Sequence, residues 1–260
     1  MTLRDRLAAA DRALEGIWVC SGSPLVAEIC AGAGMDWTLI DMEHSPNSLE
    51  SVTAQLQAVS GYPITPVVRV PTNDRVIITQ VLDTGAQNIL VPMVSTAEEA
   101  QAAVAAMHYP PRGRRGVGSA LARSARWNRV DNYLQHASEY VSLFVQIETA
   151  TGVENAAEIA AVDGVDGVFV GPSDLAASMG HLGQQAHPEV IAAVNDTFAA
   201  VIAAGTPVGV NAFDPAIARS YIDAGATFVL VGADVALLAR GSEALAAKFA
   251  AGSGADPDSY

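Results

Sequence analysis

The sequence predicts a single-domain α/β fold, the (β/α)₈ or TIM barrel. Its 260 residues match the usual length of such a barrel. Short apolar runs alternate with alanine-rich stretches along the chain, and eight such units can be counted. Half of the residues are hydrophobic, which is enough to bury a large core.

Eight runs of apolar and β-branched residues are predicted as strands. Most are hydrophobic without alternation, which is typical of a parallel sheet that is covered on both faces. The predicted strands are 16–21, 36–41, 64–70, 87–93, 141–147, 165–171, 206–212 and 226–232.

The alanine-rich stretches between these runs are predicted as helices. Several end at a glycine, which suits the left-handed residue that closes a helix; examples are Gly34, Gly85, Gly205 and Gly225. The predicted helices are 24–33, 49–59, 75–84, 97–107, 154–161, 188–204, 215–224 and 235–250. Because strands and helices alternate, the sheet is parallel, and eight units favour a closed barrel over an open doubly wound sheet.

One domain is expected, since no linker divides the chain. The barrel is assigned to residues 1–250 and a frayed tail to residues 251–260. A long segment between the fourth and fifth strands, residues 109–140, interrupts the alternation and carries six of the 13 arginines.

The composition limits the expected partners. A formal net charge of −14 repels nucleic-acid phosphates and anionic headgroups, so neither nucleic acid nor a membrane is expected as a partner. The start of the chain has no signal-peptide core, and no apolar stretch is long enough for a membrane span. Cys20 and Cys30 lack a metal or redox spacing and are interpreted as reduced thiols. These features favour a cytoplasmic protein that acts on small molecules.

Polar residues follow several of the predicted strands. Barrel enzymes place their active sites at the carboxyl ends of the strands, where the loops converge. His44 follows the second strand, Arg69 ends the third, Gln146 and Glu148 end the fifth, and Asp174 follows the sixth. Each alone has an ordinary structural interpretation, such as an ion-pair partner or a helix cap. Because separate strands bring all five to one mouth, we interpret them as an active site.

Glu148 and Asp174 are the candidate metal ligands. They come from adjacent strands, with no cysteine and one imidazole nearby, which suits Mg²⁺ or Mn²⁺ better than a structural Zn²⁺. The single lysine, Lys248, lies in the predicted C-terminal helix. Covalent catalysis through a Schiff base needs a lysine amine within the barrel, so negative charge that develops on a substrate here would be stabilised by a metal or an arginine.

Segments around these strand ends resemble the 4-hydroxy-2-oxoheptanedioate aldolase family and the related 2-dehydro-3-deoxy-glucarate aldolases. These are class II pyruvate aldolases of the citrate-lyase-like superfamily. The similar segments run in order from about residue 16 to residue 245: AGAGMDWTLIDMEHSPN, PVVRVPTND, LDTGAQNILVPMV, YPPRGRRGVGSALARSARWNR, VQIETATGVEN, VDGVFVGPSDLAASMG and VGADVALLARG. The resemblance thus covers nearly the whole chain.

The resemblance implies a role for each candidate catalytic residue. His44 corresponds to the catalytic base, and Arg69 to the arginine that stabilises the transition state. Glu148 and Asp174 correspond to the ligands of a divalent metal ion, which would be Mg²⁺, Mn²⁺ or Co²⁺.

The substrate-binding positions also follow from the resemblance. Gln146, Ser173 and Asp174 correspond to positions that bind pyruvate, with Ser173 acting through its backbone. Trp18 and Phe213 are assigned to the substrate pocket. The segment around Phe213, VNAFDP, is less typical of the family, and we expect it to shape the pocket for the aldehyde.

Asp83 corresponds to an acidic residue that raises the basicity of the catalytic histidine. It precedes the fourth strand, so in its own barrel it should face the end opposite the site. A neighbouring subunit could present it to His44, and could present the arginine-rich segment in the same way. The resemblance implies a hexamer with swapped C-terminal helices; the alternative is that these arginines form a solvated or ion-paired surface.

The expected activity is reversible aldol cleavage of a 4-hydroxy-2-oxo acid through a metal-stabilised enolate. The products would be pyruvate or hydroxypyruvate and an aldehyde. Succinic semialdehyde, tartronate semialdehyde and glycolaldehyde-like compounds all remain candidates for that aldehyde. The alternatives are a CoA-thioester lyase of the same superfamily, a phosphate-binding isomerase and a non-catalytic barrel, since a fold alone does not determine function.

Overall fold

A computed structural model describes residues 1–250 and shows eight parallel strands that close into a barrel in chain order. The strands are β1 Leu14–Val19, β2 Trp37–Asp41, β3 Thr65–Arg69, β4 Asn88–Val91, β5 Ser142–Ile147, β6 Gly167–Val170, β7 Val208–Asn211 and β8 Phe228–Ala233. The predicted barrel is therefore confirmed, and no strand boundary differs from the prediction by more than two residues. The predicted frayed tail lies outside the described residues.

Twelve α-helices and three short 3₁₀ helices lie within residues 1–250. The α-helices are α1 Leu3–Ala9, α2 Pro24–Ala31, α3 Leu49–Ala58, α4 Arg75–Asp83, α5 Ala97–Met107, α6 Tyr133–His136, α7 Ala150–Glu154, α8 Ala156–Ala160, α9 Pro172–Ser178, α10 Pro188–Ala203, α11 Pro215–Asp223 and α12 Asp234–Ala250. None of them is long and apolar enough to cross a membrane.

Two helical predictions needed correction. The predicted helix 154–161 is two short helices, α7 and α8, and the first begins at Ala150 because the Thr149 side chain accepts a hydrogen bond from the Gly152 N–H. Helices α1, α6 and α9 were not predicted, because their seven, four and seven residues are too few to show a helical repeat. Helix α9 carries two of the candidate site residues, Ser173 and Asp174.

Capping side chains determine where the outer helices begin. Asp74 and Asp214 accept hydrogen bonds from the first backbone N–H groups of α4 and α11. Behind the same helices, Gly85 and Gly225 have φ angles of 95° and 108°, a left-handed conformation in which glycine has no steric cost. These local signals turn the chain back toward the next strand.

Aromatic rings fill the amino-terminal end of the barrel. Trp37, Phe144, Phe169 and Phe228 are at most 1% exposed and pack edge-on or tilted against one another. A Cβ atom at Gly16 would lie 2.4 Å from the Trp37 ring, so β1 needs a glycine at this position to leave room for the ring. This plug closes one end of the barrel and leaves the other end for polar groups.

The arginine-rich segment packs against the amino-terminal side of the barrel. Arg115 is 2% exposed, and its Nη2 lies 3.1 Å from Asp83 Oδ1 at the end of α4. Arg123 Nη1 donates to the Thr84 carbonyl at 2.9 Å. At least part of this segment is thus bound to its own chain through ion pairs and hydrogen bonds.

Candidate active site

A cleft of about 290 Å³ opens at the carboxyl ends of the strands. Seven of the eight strands or the loops after them contribute to its wall. Seven of the predicted site residues line it: Trp18, His44, Arg69, Gln146, Ser173, Asp174 and Phe213. Parallel strands bring these residues together because all their carboxyl ends meet at the same rim.

Arg69 is held rigidly at the base of the cleft. The pairing of β2 with β3 places it beside Asp41, whose two carboxylate oxygens accept hydrogen bonds from Arg69 Nε and Nη2 at 2.8 and 2.9 Å. Its Nη1 lies 2.8 Å from Glu43 Oε2, and the Trp18 ring covers the guanidinium at 4.6 Å. Arg69 is 2% exposed, so this bidentate pair fixes one positive charge at a defined position.

Glu148 is buried beside this arginine but receives its hydrogen bonds from neutral donors. Its Oε1 accepts from the Met93 backbone N–H at 2.8 Å, and its Oε2 accepts from Gln146 Nε2. Met93 has a φ of 57°, a left-handed conformation that is uncommon outside glycine. Burial, together with the nearby negative charges of Glu43 and Asp174, raises the pKa of Glu148 to about 7 against the lowering effect of these two hydrogen bonds.

Glu43 is the third carboxylate at the mouth. Its side chain is 15% exposed, and burial raises its pKa although Arg69 acts in the opposite direction. Glu43, Glu148 and Asp174 thus concentrate negative charge around one side of the cleft, while Arg69 is already shared with Asp41.

This donor set fits a divalent cation. Carboxylate oxygens are the ligands that hard cations prefer, and a bound cation would remove the repulsion that raises the pKa of Glu148. The end of β6 leaves room for the carboxylate, because a Cβ atom at Gly171 would lie 2.6 Å from Glu148 Oε2. Glu148 and Asp174 therefore remain the candidate ligands that the sequence predicted.

His44 lies on the loop after β2 with 65% of its side chain exposed. Asp41 positions this loop, since its carboxylate also accepts hydrogen bonds from the backbone N–H groups of Glu43 and His44. His44 Nε2 is 3.9 Å from Glu43 Oε2. The imidazole can therefore reach a ligand in the cleft and exchange its proton with solvent.

Ser173 and Asp174 occupy the first turn of α9 and are exposed toward the cleft. Ser173 Oγ donates to Gln185 Oε1 at 2.8 Å, so the hydroxyl is engaged by the loop that follows α9. The Ser173 side chain is thus engaged within the chain, and the binding of pyruvate by its backbone stays a prediction.

Asp83 does not reach His44 within one chain. It ends α4 at the amino-terminal side of the barrel, where it pairs with Arg115. The sequence analysis expected this position, and a role for Asp83 in catalysis requires a second copy of the chain.

Two residues of the site were not assigned from the sequence. Asp41 and Glu43 belong to the segment DMEH, and the sequence does not show which of its carboxylates face Arg69. The pairing of Asp41 with Arg69 could have been found from the strand alignment, because both residues end neighbouring strands. Cys20 also lines the cleft, but burial raises its pKa to about 12, so it is not a nucleophile at neutral pH.

The model of the HpcH/HpaI aldolase/citrate lyase family matches residues 14–241. The chain belongs to this family. It is 53% identical over 241 residues to a hydroxypyruvate/pyruvate aldolase of Deinococcus radiodurans, which covers 93% of this chain and 87% of the relative. It is 52% identical over 242 residues to a 4-hydroxy-2-oxo-heptane-1,7-dioate aldolase of Salmonella heidelberg, covering 93% and 92% of the two chains.

A solved structure agrees with this assignment. The chain is similar to an HpcH/HpaI aldolase/citrate lyase family protein of Burkholderia cenocepacia, with a TM-score of 0.91, 42% identity and coverage of 95% and 98%. The family resemblance, the barrel and the activity of a carbon–carbon lyase of the aldolase type are therefore confirmed. The two aldolases of the HpcH/HpaI family differ in their named substrates at nearly equal identity, so identity alone does not select the substrate.

Proposed function

We propose that this chain is a class II aldolase that cleaves 4-hydroxy-2-oxo acids reversibly to pyruvate or hydroxypyruvate and an aldehyde. The observation that carries the proposal is the buried Glu148, which accepts hydrogen bonds only from the neutral Met93 N–H and Gln146 amide at a mouth that also holds the carboxylates of Glu43 and Asp174. A cluster of this kind favours binding of a divalent cation. The single lysine, Lys248, lies on α12 outside the barrel, which argues against a Schiff base.

Glu148 and Asp174 would hold the metal ion, with Gln146 orienting the Glu148 carboxylate. A bound Mg²⁺, Mn²⁺ or Co²⁺ ion supplies Lewis-acid stabilisation of the oxygen of the 2-oxo acid on which negative charge develops. Ser173 binds the carboxylate of the 2-oxo acid through its backbone. Oxygen ligands suit all three ions, so ion identity is a matter for measurement.

His44 and Arg69 carry out the proton and charge steps. His44 removes the proton from the C4 hydroxyl, the C3–C4 bond breaks, and the aldehyde leaves. The bonding electron pair remains on the 2-oxo acid as an enolate. Arg69 donates two of its five guanidinium N–H groups to Asp41, and its Nη1 forms an ion pair with Glu43 without a hydrogen bond, which leaves three N–H groups for the developing oxyanion. Protonation at C3 completes cleavage, and aldol addition is the reverse.

Trp18 and Phe213 form the apolar wall of the cleft. Their rings meet edge-on with centroids 6.4 Å apart. Trp18 also covers Arg69, so this wall shields the guanidinium from water and strengthens its interaction with a negative charge. We assign both residues to substrate binding on this basis.

The test is aldol formation by the purified protein from pyruvate or hydroxypyruvate and a panel of aldehydes. Activity should disappear with EDTA and return with Mn²⁺, Mg²⁺ or Co²⁺. Wild-type activity that persists after the metal has been removed would contradict the class II mechanism. Absence of turnover under every condition, with the protein shown to be folded, would favour a CoA-thioester lyase instead.

We further propose that the chain assembles as a hexamer with exchanged C-terminal helices. Helix α12 exposes a row of apolar side chains beyond its first residue, between 44% and 74% exposed: Val235, Leu237, Leu238, Leu245 and Phe249. A mostly apolar groove of about 470 Å³ lies between α12 and α2. Such surface is unusual on a monomer and favours contact with another copy.

The arginine-rich segment supports the same assembly. Val117, Leu121 and Trp127 are exposed there, at 66%, 87% and 51%. A second copy could use this face to bring Asp83 to His44.

Light scattering tests the assembly directly. The variant Leu238→Asp should form a smaller assembly than the wild type. The control Leu182→Asp, at a position that is 80% exposed in the loop after α9, should not change the mass of the assembly. An unchanged mass for Leu238→Asp would rule out α12 as an assembly surface.

A further inference from the structure

Two of the five histidines of the chain meet at the loop between α9 and α10. The rings of His181 and His187 stack with their centroids 3.8 Å apart and their planes at 16°. Glu189, in the first turn of α10, reaches the same place, and its Oε2 lies 3.0 Å from His181 Nε2. One potential ligand atom from each of the three side chains lies within 4.8 Å of the other two. The proposed aldolase mechanism uses none of them.

The backbone of this loop brings the two histidines together without any ligand. The Gln184 N–H donates to the His181 carbonyl, and the His187 N–H donates to the Gln184 carbonyl, both at 2.8 Å. Gly180 and Gly183 have φ angles of 84° and 76°, which residues with a Cβ atom rarely adopt. The fold itself therefore sets the positions of the donors, which lowers the entropy lost when an ion binds.

The kind of donor atoms indicates the kind of ion. Imidazole nitrogen suits Zn²⁺, Ni²⁺ and Cu²⁺, whereas Mg²⁺ and Ca²⁺ prefer oxygen ligands alone. Two histidines and one carboxylate also leave a position of a tetrahedral Zn²⁺ ion for water. This set thus differs in chemistry from the carboxylates of Glu43, Glu148 and Asp174 in the cleft.

Glu189 supplies the negative charge that a cation requires at this position. A helix N-terminus by itself favours anions, so an ion at the start of α10 depends on this carboxylate. The hydrogen bond from His181 and the charges of both imidazoles lower the pKa of Glu189, which keeps it ionised at neutral pH.

An ion can reach these side chains with small rearrangements. It would replace the hydrogen bond between His181 and Glu189 and the long one, 3.3 Å, that the Glu189 N–H donates to His187 Nδ1. One of the stacked rings must turn before both face the same ion. The side chains of His181 and Glu189 are 22% and 70% exposed, so the surface leaves room for this movement.

The loop is also connected to the active-site cleft. Gln185 lies between the two histidines in the chain, and its Oε1 accepts a hydrogen bond from Ser173 Oγ at 2.8 Å. Ser173 lines the cleft from the first turn of α9. An ion that bridges His181 and His187 would therefore restrain the loop that holds this contact.

We propose that His181, His187 and Glu189 form a second metal site, which binds a transition-metal ion such as Zn²⁺ and restrains the loop between α9 and α10. The site does not depend on the aldolase function, because its ligands and the ions they prefer are different. Binding of the metal alone is therefore sufficient to test it.

The first test measures Zn²⁺ binding by calorimetry in a Glu148→Gln background, in which the catalytic site lacks one ligand. Adding His181→Asn should weaken the binding at least about tenfold. His136→Asn is the matched control, because His136 Nδ1 also lies 2.8 Å from a carboxylate, that of Glu139. Within residues 1–250 no third metal-ligating side chain joins that pair. Equal affinities in the two variants, or no Zn²⁺ binding before His181 is replaced, would overturn the proposal.

The second test uses Cu²⁺ and electron paramagnetic resonance in the same background. The spectrum should show coupling to two imidazole nitrogens, and this signal should be lost in both His181→Asn and His187→Asn. Asparagine at position 187 retains a side chain that can cap α10, so the helix should still form. A spectrum with one nitrogen or none would contradict the assigned ligands.

Hydrogen exchange tests the restraint on the loop. Saturating Zn²⁺ should slow amide exchange in residues 180–187 of the protein that has His181, and should not do so in His181→Asn. Exchange that is unchanged by Zn²⁺ in both proteins would show that the ion does not restrain the loop.

Discussion

The two ends of the barrel place buried carboxylates in opposite electrostatic environments. At the amino-terminal end, Asp36 is 8% exposed and accepts hydrogen bonds from both Nη atoms of Arg12, at 2.8 and 2.9 Å. Burial opposes its ionisation, but these bonds and the positive charges of Arg12 and Arg6 lower its pKa. At the carboxyl end, Glu148 is also buried but accepts hydrogen bonds only from neutral donors, and its pKa is raised to about 7.

This difference separates stability from chemistry within one fold. A carboxylate that is paired with an arginine, such as Asp36, stabilises the fold and has no free oxygen to offer a ligand. A buried carboxylate without a charged partner, such as Glu148, lowers the free energy of unfolding, and binding of a cation would restore it. The barrel can keep both because the aromatic plug at one end lies far along the strands from the mouth at the other.

Exchanging the two carboxylates for amides should give the largest contrast. Glu148→Gln removes a metal ligand, so metal-dependent kcat/KM should fall by more than about 10³-fold. Its melting temperature in EDTA should stay the same or rise, because a buried charge is removed. Asp36→Asn should do the reverse, keeping activity while the free energy of unfolding falls by about 1–3 kcal/mol. Turnover assays and urea unfolding of both variants decide this, and a large loss of stability in Glu148→Gln would contradict the comparison.

The variant His44→Ala should affect two reactions of the same active site to different extents. Aldol cleavage should fall by about 10²–10⁴-fold, because the C4 hydroxyl loses its base. Decarboxylation of oxaloacetate needs no such proton transfer and should fall much less. Both rates are measured on one protein preparation with Mn²⁺. Equal losses in the two reactions would remove His44 from the role of hydroxyl base.

Arg69→Lys should weaken the charge that the mouth fixes in place. A lysine keeps the positive charge but cannot form the bidentate pair with Asp41, so kcat should fall by about 10²–10³-fold. Unlike His44, Arg69 is 2% exposed and should also affect folding. A loss of kcat that is larger than the loss in the free energy of unfolding can explain would show a catalytic role rather than a structural one. Near-normal turnover would exclude Arg69 from the mechanism.

The smallest effect is expected from pH at the amino-terminal side of the barrel. Burial lowers the pKa of His108 to about 4, assisted by the charges of Arg112 and Arg115. Because the unfolded chain binds a proton nearer pH 6.5, stability is present above that pH and is lost as pH falls toward 4. We expect a loss of about 2 kcal/mol between pH 7 and pH 5 from this residue.

Urea unfolding at the two pH values checks this. His108 Nδ1 lies 3.0 Å from Ser138 Oγ. The variant His108→Asn keeps a polar side chain next to this hydroxyl and should remove that part of the pH dependence. If the variant and the wild type lose the same stability on acidification, His108 does not titrate as described.

Local sequence signals were sufficient for much of the barrel. The eight strands and the glycines that end several helices follow from residue type and periodicity, because both strand faces are buried and helix ends need defined backbone geometry. The break between α7 and α8 and the helices α1, α6 and α9 were missed, because elements of four to seven residues show too little periodicity.

The position of the candidate site was also predicted from local signals, whereas the pairing of its side chains was not. The strand ends place His44, Arg69, Gln146 and Asp174 at one mouth, since parallel strands converge there. That Asp41 rather than Glu43 forms the bidentate pair with Arg69 depends on strand register and side-chain direction, which the segment DMEH does not contain.

The sequence by itself thus determined the barrel, its active end, the family and the candidate catalytic residues, because these depend on periodic burial and on residue types at strand ends. Only the tertiary structure decided how charge is distributed among them. The raised pKa of Glu148 and the sharing of Arg69 with Asp41 come from residues far apart in the chain. Desolvation and pairing depend on distances in space, and no local pattern encodes those distances.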